Sequence, residues 1–130
     1  MAESNHIMRR VLVVEDDYQL ADVIAEVLTY ENCEPDLAAN GMEALDKLQS
    51  LGNYDAIICD VMMPRVGGEA LYEQVALKHP HLARKVLFIT GQSSAQSGMT
   101  DFISRTDCLL LQKPFDVEQL RTMLHELLKR

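Results

Sequence analysis

Short apolar runs of strand length alternate with longer stretches of helical period along this chain, and that alternation leaves few folds open. The clearest runs are Val11–Val14, Ala56–Cys59, Lys85–Thr90 and Cys108–Leu111, with a weaker candidate near Glu34–Ala38. Between the first two, Leu20, Ala21, Ile24, Val27 and Leu28 fall on one helical stripe, and Met42, Leu45 and Leu48 mark another. Asn40–Gly41 reads as a turn before that second helix. Glu69–Lys78 reads as a third helix, stopped by the "HPH" of His79–His81, whose histidines read as solvated. After the polar "GQSSAQSG", a short helix is expected from about Met99 to Ser104. Asp116 reads as the N-cap of a last helix lined by Val117, Leu120, Met123, Leu124, Leu127 and Leu128. The resulting β–α units predict an α/β fold: a doubly wound (βα)5 parallel sheet between two helical layers, with strand order 2-1-3-4-5. At 130 residues and 48% hydrophobic, the chain suits a single domain with its own core. Residues 1–10 read as a polar lead-in and 11–130 as that domain.

In such sheets the ligand crevice lies outside the carboxyl ends of the strands, beside the point where strand order reverses. The strong strands here all end in polar residues. The first is followed by Glu15, Asp16 and Asp17, the third by Asp60, the fourth ends in Thr90, and Lys113 follows the fifth. The predicted order makes these strands neighbours, so the residues converge on one edge. Glu15, Asp16 and Asp60 held together would repel one another unless a cation and the Lys113 ammonium balanced them. Hard oxygen donors with room for water suit Mg²⁺ or Mn²⁺. A carboxylate beside such a metal is a nucleophile for phosphoryl transfer, and Asp60, ending the central strand, is the candidate. Asp16 would ligate directly, Glu15 through water, and the Met62 carbonyl would add a ligand. Thr90 and Lys113 would meet the oxygens of the transferred group. Each residue has a plainer reading: "EDD" as a cap with first-turn acids, Asp60 as a turn residue, Thr90 as strand punctuation and Lys113 as a solvated cation. Their coincidence at successive strand ends favours the shared site.

A net charge of −8 opposes nonspecific binding to nucleic acid. No apolar run reaches the roughly 18 residues of a membrane helix, and "MAESNHIMRR" has no apolar signal region. The three cysteines, Cys33, Cys59 and Cys108, match no zinc spacing and suit reduced thiols in the cytoplasm.

"VLVVEDD", "CDVMMP" with Gly68 eight residues after its Asp, "FITG" and "LQKPF" together resemble the receiver domain of two-component response regulators. "LQKPF" is also similar to receivers attached to hybrid histidine kinases. The resemblance implies a flavodoxin-like fold and a signalling module rather than a turnover enzyme. It implies that Asp60 accepts a phosphoryl group from a histidine kinase or histidine phosphotransfer protein. It assigns Mg²⁺ to Glu15, Asp16, Asp60 and the Met62 carbonyl, phosphate sensing to Thr90 and Lys113, and a cis bond to Lys113–Pro114. Partners would be that phosphodonor and a downstream protein or covalently linked kinase or output domain, with no direct nucleic-acid or membrane contact. The chain departs from the pattern at Leu110, where family members commonly carry Tyr or Phe, and in the Ser- and Gly-rich stretch after Thr90. A monomer is therefore expected before phosphorylation. Met62 and Gln92 stand at positions linked to phosphoryl lifetime. Three other readings compete: a receiver-like interaction module without phosphorylation; a phosphatase of the haloacid dehalogenase type, for which Met62 occupies the acid/base position; and His125 in "HELL" as a phosphoacceptor, against which its amphipathic helix and the missing proline weigh.

Overall fold

The computed structural model of the protein describes residues 8–50, 52–62, 66–91 and 99–130. Its strands are β1 (Arg9–Val14), β2 (Cys33–Ala38), β3 (Ala56–Asp60), β4 (Val86–Thr90) and β5 (Leu109–Gln112). They pair in parallel in the order β2-β1-β3-β4-β5, as the alternation predicts. The connecting helices are α1 (Tyr18–Tyr30), α2 (Gly41–Ser50), α3 (Gly68–Lys78), α4 (Met99–Arg105) and α5 (Val117–Leu128).

Every residue of β3 and β4 is buried, because helices cover both faces of the sheet centre. The strand period of two divides their side chains between two cores. Leu12, Val14, Ile57, Cys59 and Phe88 pack with Ala44, Leu48, Leu71 and Val75 on the α2–α3 side. Val11, Val13, Ile58, Leu87 and Ile89 pack with Ile24, Leu28, Leu120 and Leu124 on the α1–α5 side. Each fully buried Leu, Ile or Val in these layers contributes roughly 1.5–3 kcal/mol relative to exposure. Among the described residues, no helix is long and apolar enough to cross a membrane. The three cysteines are free thiols; Cys33 and Cys59 are buried and Cys108 half-buried.

The edge strand β2 is tied down by charge. Asp36 accepts hydrogen bonds from Lys47 Nζ at 2.8 Å and from the Tyr54 hydroxyl, and Arg10 stands 3.5 Å away with its guanidinium over the Tyr54 ring. Paired this way, the edge offers less to a stray strand.

The structure differs from the sequence expectations in several places. β1 begins at Arg9, inside the stretch read as lead-in, and β5 runs one residue later than its apolar run. Met42 and Val117, placed on buried stripes by periodicity, are 47% and 50% exposed. Leu48 of the expected α2 stripe is buried, and Ala44 rather than Met42 packs beside it. Gly41 is the first residue of α2 rather than part of a preceding turn. Asn40 Oδ1 accepts the Glu43 N–H at 2.9 Å, and Glu43 reaches back to the Ala39 N–H at 3.2 Å. "HPH" is not a plain loop either: Pro80–Ala83 forms one more helical turn with proline at its start, a position where the missing N–H costs nothing. Asp116 caps α5 as expected, in a capping box with Gln119. Most of the lead-in, the run 92–98 with Gln92, and Met63–Arg65 lie outside the described residues.

Candidate functional site

The parallel register brings the polar strand ends together. Val14 pairs with Cys59, Asp60 with Ile89 and Thr90 with Gln112. Glu15 and Asp60 therefore leave adjacent strands at one level, with Thr90 and Lys113 beside them. One carboxylate oxygen from each of Glu15, Asp16 and Asp60 lies within 4.8 Å of the other two. Glu15 and Asp60 are buried and Asp16 is exposed, so the cluster is rooted in the sheet and opens to solvent on one side.

Asp60 is held at both oxygens. Oδ2 accepts from Lys113 Nζ at 3.0 Å, and Oδ1 accepts the Met62 N–H at 3.0 Å. The β3–α3 loop that carries Met62 is closed at its base, where the Gly68 N–H bonds the Val61 carbonyl at 3.0 Å. Lys113 is fixed through its backbone, which donates to the Thr90 carbonyl at 2.7 Å, and its peptide with Pro114 is cis. Thr90 is buried, and its hydroxyl donates to the Gly91 carbonyl at 3.2 Å. Leu110, on β5, is 41% exposed.

"EDD" divides by role. Asp17 is the N-cap of α1, accepting from the Gln19 and Leu20 N–H groups. Glu15 Oε2 accepts the Asp17 N–H at 3.0 Å, while the buried Glu15 Oε1 has no hydrogen-bond partner. Burial pushes the Glu15 carboxyl up to about 8; the Asp60 charge adds to this, and the Asp17 N–H and Lys113 oppose it. At Lys113, burial acts to lower the ammonium, but its bond to Asp60 and the charges of Asp60, Glu15 and Asp16 prevail and hold it above its ordinary value. A buried carboxylate oxygen without a donor, in a cluster of converging acids, is what a cation would satisfy. Glu15, Asp16 and Asp60 thus form an acidic pocket able to hold a metal ion, with the Met62 backbone next to it. No single-residue signal marks Gly41 or Val66, which also meet beside this edge.

A doubly wound sheet with an acid cluster facing a lysine at its switch point defines a class of α/β domain rather than one protein. The chain matches the response regulator receiver domain over residues 11–125, and it belongs to that family, the receivers of two-component systems. It is 31% identical over 123 residues to response regulator ArlR of Staphylococcus haemolyticus, covering 95% of this chain and 54% of that protein. It is 31% identical over 121 residues to the transcriptional regulatory protein TrcR of Mycobacterium tuberculosis, covering 93% and 46%. The chain therefore spans about half the length of these relatives. Among solved structures, the receiver domain of Francisella response regulator 1452 is 29% identical with a TM-score of 0.76, covering 94% of this chain and 98% of that one. A receiver domain protein from Methanospirillum hungatei shares the fold at a TM-score of 0.81 and 24% identity, covering 95% of each.

Proposed function

We propose that Asp60 is the phosphoacceptor of this receiver, taking a phosphoryl group from a phosphohistidine on a histidine kinase or histidine phosphotransfer protein in a Mg²⁺- or Mn²⁺-dependent step. The observation that carries this reading is the Asp60 carboxylate itself, held between Lys113 Nζ and the Met62 N–H beside a buried, unpartnered Glu15 oxygen. Glu15, Asp16, Asp60 and the Met62 carbonyl would hold the metal, which supplies positive charge to the oxygens of the group in transfer.

The chain's own residues do the rest. Asp60 Oδ1 or Oδ2 forms the new O–P bond as the P–N bond of the donor breaks, and the electron pair stays on the histidine nitrogen, which takes up a proton. Lys113, released from its direct pair with Asp60, follows the charge onto a phosphoryl oxygen. The Thr90 hydroxyl exchanges its bond to the Gly91 carbonyl for another such oxygen, which draws the end of β4 toward Asp60. That exchange is the local event by which phosphorylation changes partner binding. Hydrolysis of the acyl phosphate at the same site resets the module, so the domain acts as a switch with intrinsic autophosphorylation and autodephosphorylation chemistry. The phosphodonor on one side and a downstream protein or linked kinase or output domain on the other are its partners. The acidic balance of the chain supports the absence of direct nucleic-acid contact. We place the domain in the cytoplasm, where phosphohistidine donors act.

Incubation with acetyl phosphate and Mg²⁺, followed by intact-mass analysis, tests the assignment. The wild type should gain one phosphoryl group, and Asp60→Asn or excess EDTA should abolish the gain. Equal phosphorylation of Asp60→Asn would overturn it.

A further inference from the structure

Gly41 is buried at the first position of α2. A Cβ built there would overlap the Val66 carbonyl oxygen and lie 2.6 Å from Val66 Cβ. The atoms in the way include backbone, so a side chain at 41 must displace the loop that bears Val66. The glycine is not needed for its backbone angles: among the described residues Gly52 is the glycine with positive φ. It is needed for space.

Val66 belongs to the β3–α3 loop, whose other end is Asp60, Val61 and Met62. A second close approach pins that end. A Cβ at Gly68 would stand 3.0 Å from Val61 Cα and 3.2 Å from the Asp60 carbonyl oxygen. The described ends of the loop are thus joined at Gly68 and Val61, and Val66 presses against the start of α2. That start is itself anchored to the acid cluster, because the Ala38 carbonyl accepts the Glu15 N–H at 3.0 Å and Asn40 caps the helix. One short connection, 38–41, therefore touches the Glu15 backbone on one side and the Asp60 loop on the other.

We infer that Gly41 is a positioning residue for the phosphoacceptor site: its missing side chain lets Val66 seat against the start of α2, and that seat, together with the Gly68–Val61 hydrogen bond, fixes Asp60 and the Met62 carbonyl relative to Glu15 and Asp16. Where metal is concerned, the inference rests on the function proposed above. Helix propensity alone makes the opposite forecast, since Ala is favoured over Gly in a helix by up to about 1 kcal/mol.

The test compares wild type, Gly41→Ala and Val66→Ala by amide NMR and Mg²⁺ titration. In metal-free Gly41→Ala, the Val61, Met62, Val66 and Gly68 amides should shift while those of β5 and α5 stay in place. Its Mg²⁺ affinity and its acetyl-phosphate phosphorylation rate should each fall on the order of tenfold. Val66→Ala, which removes atoms and strains nothing, should move Mg²⁺ affinity in the same direction by about threefold. A Gly41→Ala protein with unmoved loop amides and unchanged Mg²⁺ affinity overturns the inference, whether its melting temperature rises or falls. If Gly41→Ala does not fold, unchanged affinity in Val66→Ala overturns it instead. Failure of the wild type to bind Mg²⁺ would count against the proposed function, whereas wild-type binding matched by both variants counts against the role of Gly41 alone.

Discussion

Glu15 follows directly on β1, with one carboxylate oxygen satisfied by the Asp17 N–H and the other buried and bare. Burial and the neighbouring Asp60 charge raise its carboxyl from 4.5 to about 8. Between those values the folded chain holds a proton at Glu15 that the unfolded chain has released. Stability from this group is therefore full below the lower value, declines as pH rises through the window, and levels off above the upper one. The melting temperature of metal-free protein should fall across that window, and Glu15→Gln should flatten the fall and weaken Mg²⁺ binding. An equally steep decline in Glu15→Gln would assign the pH dependence to other groups. At this scale the sequence is readable where chemistry sits at a strand end. Asp60, Thr90 and Lys113 follow from the β–α alternation alone. The separate role of Asp17 as a cap depends on where α1 starts. The place of Gly41 depends on a loop distant in sequence, and local pattern carries no trace of it.

The elements differ in how strongly they are specified. β3 and β4 lie between two helical layers and are written as unbroken apolar runs, which is why their bounds are plain. β2 and β5 are edge strands with mixed burial, so their ends drift from the apolar signal. Periodicity overreached at Met42 because the buried face of α2 runs through Gly41, Ala44 and Leu48, and Met42 lies off that face; Val117 shares a face with Leu120 and Leu124 but stands in the first turn of α5, before that face meets the core. Caps were the better guide. Asp116 and Gln119 satisfy one another's backbone donors at 2.8 Å each way. Asp116→Ala should cost about 1 kcal/mol in urea denaturation, with no change in the acetyl-phosphate labelling proposed for Asp60, since only the start of α5 is affected. A loss below a few tenths of a kcal/mol would mean that core contacts of Leu120 and Leu124 hold that turn without the cap.

Across the whole molecule, strand order turns separate segments into one site. Parallel pairing aligns the ends of β1, β3, β4 and β5, and the reversal at β1 and β3 opens the crevice between Glu15 and Asp60. The sheet that builds the site also buries the Cys33 and Cys59 thiols, while Cys108 stands half-buried just before β5. Burial pushes Cys59 well above its ordinary value and raises Cys33 and Cys108 as well. A thiolate is the reactive species, so the native protein presents a chemically quiet surface to alkylating and disulfide-exchange reagents. Ellman's reagent should react slowly with the folded domain and titrate all three thiols once it is unfolded in denaturant. Rapid reaction of the buried Cys33 or Cys59 under native conditions would reveal a local opening. A single cysteine introduced on the surface could then carry a spectroscopic label without first stripping the natural three, and the slow labelling of Cys59 would serve as an internal clock for the opening of the sheet beneath Asp60.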